Sequence, residues 1–99
     1  MGRSLEDAVE MLTKETFADA IIPRNLSMVQ FFVPRSAHCK TIQPEYIKAA
    51  NELLKEDVYL FKVDSSKQKE LAGDYNVTEF PTLIIFRKGV RVGEYSGGR

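Results

Sequence analysis

Thiol chemistry is what this 99-residue chain has least of: Cys39 is its only cysteine, so no internal disulfide can form. Stability therefore has to come from packing, and any covalent sulfur chemistry has to be intermolecular. Net charge is missing as well, since 14 basic residues offset 14 acidic ones, and no electrostatic footprint for nucleic acid is left. No apolar run approaches the roughly 20 residues that cross a bilayer, so membrane insertion of this segment is not expected. Met1-Gly2-Arg3-Ser4 is not followed by the apolar stretch of a secretory signal, although a piece of a longer precursor would also lack one. Tryptophan is absent, and one histidine, His38, beside one cysteine gives too few donors for a metal site. No cofactor is expected.

Neither repeats nor a linker interrupt the chain, because its four prolines and six glycines are scattered and only Gly97-Gly98 are adjacent. With 43% hydrophobic residues, it reads as one small globular domain spanning residues 1–99. Val9, Met11 and Leu12 suit a short edge strand, and Thr13 caps a helix carrying Phe17, Ala18 and Ile21, which Pro23 and Asn25 end. Leu26 to Val33 is apolar enough for a strand covered on both faces. Ser36 can cap a long helix with Ile42, Tyr46, Ala49, Ala50 and Leu53 along one side and Pro44 inside it, ending near Asp57. Val58 to Val63 is a further strand, after which Asp64-Ser65-Ser66 supplies caps for a short helix using Leu71, Ala72 and Tyr75. Thr82 to Phe86 and Val90 to Glu94 form a hairpin about Lys88-Gly89, so a parallel sheet turns antiparallel at one side. This order predicts an α/β fold with a central mixed sheet and helices on both faces. Two triplets, Asn25-Leu26-Ser27 and Asn76-Val77-Thr78, fit the glycosylation acceptor. Triplets this short arise often by chance and Asn76 falls in a compact segment, so neither is given a role at this level.

The chemistry concentrates in Val29 to Tyr46, VQFFVPRSAHCKTIQPEY. This stretch resembles the first catalytic segment of the protein disulfide isomerase family, in which a buried strand runs into Pro-Trp-Cys-Gly-His-Cys-Lys and a helix with Pro-Glu-Tyr. Thr78-Glu79-Phe80-Pro81-Thr82 is similar to the family loop whose cis-proline faces the cysteines, and Tyr95-Ser96-Gly97-Gly98-Arg99 to its Tyr-x-Gly-x-Arg. The resemblance runs from Val9 to Arg99 and implies the thioredoxin fold, lacking the usual C-terminal helix because the chain stops before it. Truncation, or a partner that covers the exposed face, would account for that.

Measured against the family, Cys39 takes the place of the second cysteine and Ser36 that of the attacking one. Disulfide exchange passes through a mixed disulfide that a second thiol resolves, so a hydroxyl at Ser36 implies loss of the two-electron cycle. The hydroxyl of Ser36 is expected to serve as a plain helix N-cap rather than to take a chemical role. Cys39, shielded one turn into the helix, is then either a small packing residue or a sluggish vestigial thiol. His38 has no thiolate to stabilise at the first position. Gln30 replaces a buried glutamate that moves protons for the second cysteine, Arg35 replaces the tryptophan, and Lys62 matches a lysine that pairs with that glutamate. Without its partner, the Lys62 ammonium is expected to reach water. A laboratory trap changes one sulfur only, so these coincident changes favour natural loss of catalysis. Arg99 matches a mobile arginine that acts on the second cysteine.

What the resemblance leaves standing is a cradle for an extended peptide, formed by Arg35, Ala37, His38, Phe80 and Pro81. It implies a redox-inactive domain in the lumen of the endoplasmic reticulum, with unfolded or client polypeptides and sister domains of the same chain as partners, acting as a chaperone in protein folding. The alternative is a single-thiol oxidoreductase or redox sensor working through Cys39. Phe80 could also be an ordinary aromatic at the edge of the core.

Overall fold

A computed structural model describes residues 9–95. Met1-Gly2-Arg3-Ser4 and Arg99, with the expectations attached to them, lie outside the described residues. The elements follow as β1 (Glu10–Leu12), α1 (Lys14–Ile21), β2 (Leu26–Phe32), α2 (Ala37–Leu53), β3 (Val58–Asp64), α3 (Lys69–Asp74), β4 (Thr82–Arg87) and β5 (Val90–Tyr95). They build one five-stranded sheet in the order β1-β3-β2-β4-β5. β1 and β2 run parallel to β3, whereas β4 is antiparallel to β2 and β5 to β4. This is the mixed sheet that the element order predicts, and the fold that the family resemblance implies.

β2 is central, and both of its faces are covered, which explains its near-continuous apolar run. Strand alternation sends Val29 and Phe31 to one face, where they join Phe17 and Ile21 of α1, Leu71 and Ala72 of α3, and Ile84 and Phe86 of β4. Phe86 makes T-shaped pairs with Phe17 and Tyr75, with ring centroids 5.7 and 5.3 Å apart. Those T-shaped pairs place positive ring edges on negative ring faces. Tyr46 and Ala50 of α2 pack on the other face with Leu60 and Leu83. The Tyr46 hydroxyl donates to the Phe61 carbonyl at 2.6 Å, which satisfies a polar tip carried into the core. Burial pushes its ionisation well above the ordinary phenol range.

Local signals end the elements. Lys88 and Gly89 both have positive φ, 52° and 85°, the backbone of a tight hairpin turn that matches strand twist. A Cβ on Gly89 would lie 2.7 Å from Ile22 Cγ1, so close approach of the α1 terminus also demands glycine there. One expected cap is corrected. Asp64 and the serines after it do not cap α3, whose first-turn flank is Gln68. Instead Asp64 Oδ1 accepts from the backbone N–H and the hydroxyl of Ser66, at 3.0 and 2.6 Å, closing a side-chain turn directly after β3. Pro44 removes one backbone donor, yet α2 continues on both sides of it.

Candidate functional site

Pairing register assembles the site. Phe31 lies opposite Thr82 in the antiparallel β2–β4 pair, so the chain leaving β2 and the loop entering β4 meet at one end of the sheet. Phe32 of β2 stands beside Asp64 of β3 at that same end. In open α/β sheets the carboxyl ends of parallel strands are where ligands are held. Pro34 and Arg35 then form a turn that hands the chain to α2.

Ser36 is the N-cap of α2: its backbone is extended, and its Oγ accepts from the Cys39 backbone N–H at 3.2 Å. The hydroxyl thereby satisfies one of the free donors that every helix start presents. Three residues on, Cys39 is 1% exposed, a free thiol closed off from solvent. Arg35, Ala37 and His38 are exposed around it.

Beneath α2, Gln30 is fully buried in β2. Its Oε1 accepts from Gln43 Nε2 at 2.5 Å, and the same Gln43 nitrogen reaches the Cys39 carbonyl at 3.1 Å. Two amides thus occupy the ground under the thiol, and neither can take up a proton near neutral pH. No sequence motif singles out Gln43, although its position one turn after Cys39 puts both residues on one side of the helix. Gln30 Nε2 and Gln43 Oε1 are buried and have no hydrogen-bond partner among the described residues. Lys62, paired in register with Gln30, is half-buried, and its ammonium lies 5.9 Å from the centroid of the Phe32 ring.

On the facing loop the Phe80–Pro81 peptide bond is cis. The Thr82 hydroxyl donates to the Glu79 carbonyl at 2.7 Å, a clamp across the two residues between them. Pro81 is buried, Phe80 half-buried and Glu79 exposed, so the accessible part of the loop is Phe80 and the backbone before it.

The family pattern described as Thioredoxin matches residues 8–99. The chain belongs to the thioredoxin family. Within it, the similarity points to the disulfide isomerases. Identity is 46% over 90 residues with protein disulfide-isomerase A4 of Rattus norvegicus, covering 89% of this chain and 14% of that protein. With the protein disulfide-isomerase of Triticum aestivum it is 46% over 97 residues, covering 93% and 19%. The solved first thioredoxin domain of mouse protein disulfide-isomerase A4 superposes with a TM-score of 0.85 at 31% identity, over 95% of this chain and 68% of that one. A thioredoxin from Halobacterium salinarum, at 22% identity and a TM-score of 0.83 over 99% of this chain and 85% of that one, shares the fold alone. The chain spans 14 to 19% of the length of the two full-length isomerases it matches. It is a thioredoxin-like domain of disulfide isomerase kind with a Ser-Ala-His-Cys variant at the start of α2.

Proposed function

We propose that this domain is redox-impaired and binds unfolded or client polypeptides during protein folding. In this reading it is one module of a longer chain in the lumen of the endoplasmic reticulum, beside sister domains. The observation that carries it is Ser36: its oxygen caps the helix where exchange chemistry requires a thiolate, and the one sulfur nearby is buried. Attack on a disulfide needs both an ionised thiol and access to it. The neutral Gln30–Gln43 pair supplies no base beneath Cys39, which supports the same reading. Burial of Cys39 also speaks against the single-thiol alternative, since a mixed disulfide with glutathione or a protein must form at that sulfur.

Client binding rests on the loop. Phe80 offers apolar area, and the backbone leading to it offers hydrogen bonds to an extended chain laid against the sheet end, where Arg35, Ala37 and His38 at the start of α2 are exposed. None of this requires sulfur. Two assays test the proposal. In insulin reduction the domain is expected to show no turnover, and steady turnover would refute it. Binding of a reduced, carboxymethylated polypeptide, read by fluorescence anisotropy, is expected to survive blocking of Cys39 and to weaken about tenfold in Phe80→Ala, a loss of about 1.4 kcal/mol. Restoring sulfur alone, in Ser36→Cys, is expected to recover little activity because Gln30 and Arg35 stay as they are.

A further inference from the structure

We propose that Asn76 is an attachment site for an N-linked glycan. Asn76-Val77-Thr78 starts in the turn after α3 and runs on into irregular chain, and the fold answers the objection that the segment is compact: Asn76 and Thr78 are both exposed. Asn76 holds a left-handed backbone, φ 56°, which asparagine tolerates better than most residues, and its N–H is bound to the Gly73 carbonyl at 3.1 Å. Among the described residues its side-chain amide makes no hydrogen bond, so Nδ2 is free to react. The other acceptor triplet differs. Ser27 is 1% exposed, in a strand paired on both edges, so its hydroxyl is out of reach once the domain folds. The Asn76 triplet stays open before and after folding. Its conversion needs a lipid-linked pyrophosphate oligosaccharide: Nδ2 forms the bond to the anomeric carbon and gives up one proton, while the bond from that carbon to the pyrophosphate oxygen breaks and the lipid pyrophosphate leaves.

A sugar there would stand at the rim of an open cleft of about 570 Å3 that Asp74, Tyr75, Glu79 and Glu94 help to line, on the flank of the Phe80 loop. Large polar groups are carried without loss at exposed turns, where no packing has to be given up. The test expresses the chain behind a secretory leader in a eukaryotic host, which makes the outcome independent of the lumenal reading above. The chain is expected to run as a heavier species that peptide N-glycosidase collapses, with mass spectrometry locating the resulting aspartate at position 76. Asn76→Gln and Thr78→Ala are expected to abolish the position-76 conversion, and Asn25→Gln to leave it. Thr78→Ala keeps the native turn residue, so a folding defect in Asn76→Gln does not decide the result. A chain with no glycosidase-sensitive shift, or one in which position 76 is never converted, overturns the proposal.

Discussion

At the scale of single residues, one atom at position 36 steadies the helix and, in the proposed reading, also sets the chemistry. Oxygen is a poor nucleophile at neutral pH, but it is a good acceptor for the Cys39 N–H. Ser36→Ala is therefore expected to lose about 1 kcal/mol of stability in urea unfolding and to leave the insulin assay at its baseline. Cys39, 1% exposed, is expected to resist a thiol-alkylating reagent in the native domain and to react fully once unfolded. Rapid native labelling would revive the single-thiol alternative. Tyr46 carries a pH signature. Because burial raises its folded ionisation point above the unfolded value of about 10, its contribution is complete below that pH and is lost as pH rises beyond it. Tyr46→Phe is expected to flatten that alkaline loss and to cost about 1 kcal/mol at neutral pH through the missing bond to Phe61. Ser36, Cys39 and Gln30 were legible in the sequence because a continuous motif names them. The partner of Gln30 was not, since Gln43 meets it only when helix α2 lies down on β2.

At the scale of elements, runs and breakers marked most boundaries. The apolar run of β2 reads directly as a doubly covered strand, that of β3 as a further strand, and Lys88-Gly89 as a hairpin. The cap of α3 did not read correctly, because an Asp-Ser-Ser cluster can close a turn as well as start a helix, and the local residues are the same in both cases. Gly89 shows how an element boundary also carries tertiary packing. Gly89→Ala is expected to lose about 1–2 kcal/mol from the left-handed backbone alone. Contact with Ile22 adds to that, so Ile22→Ala in the same chain is expected to recover part of the loss in thermal unfolding. If the second substitution recovers nothing, the clash is not the cause.

At the scale of the whole molecule, stability rests on two packed faces of one sheet. The larger cluster gathers Phe17, Phe31, Tyr75 and Phe86 from α1, β2, the end of α3 and β4. Phe86→Ala is expected to cost about 3–5 kcal/mol by chemical denaturation, a large share of what a small domain has. The sequence by itself determined the class of elements, their order, the strand at the centre and the loss of one sulfur, because each depends on residue type and on spacing along the chain. Tertiary structure decided which distant residues meet. It brought the Phe80 loop to the end of β2 through strand register, set Gln43 on Gln30 beneath Cys39, and buried the thiol while leaving Asn76 in the open. Those facts depend on how faces are stacked in space, and the order of residues encodes that only through the packing of the complete fold.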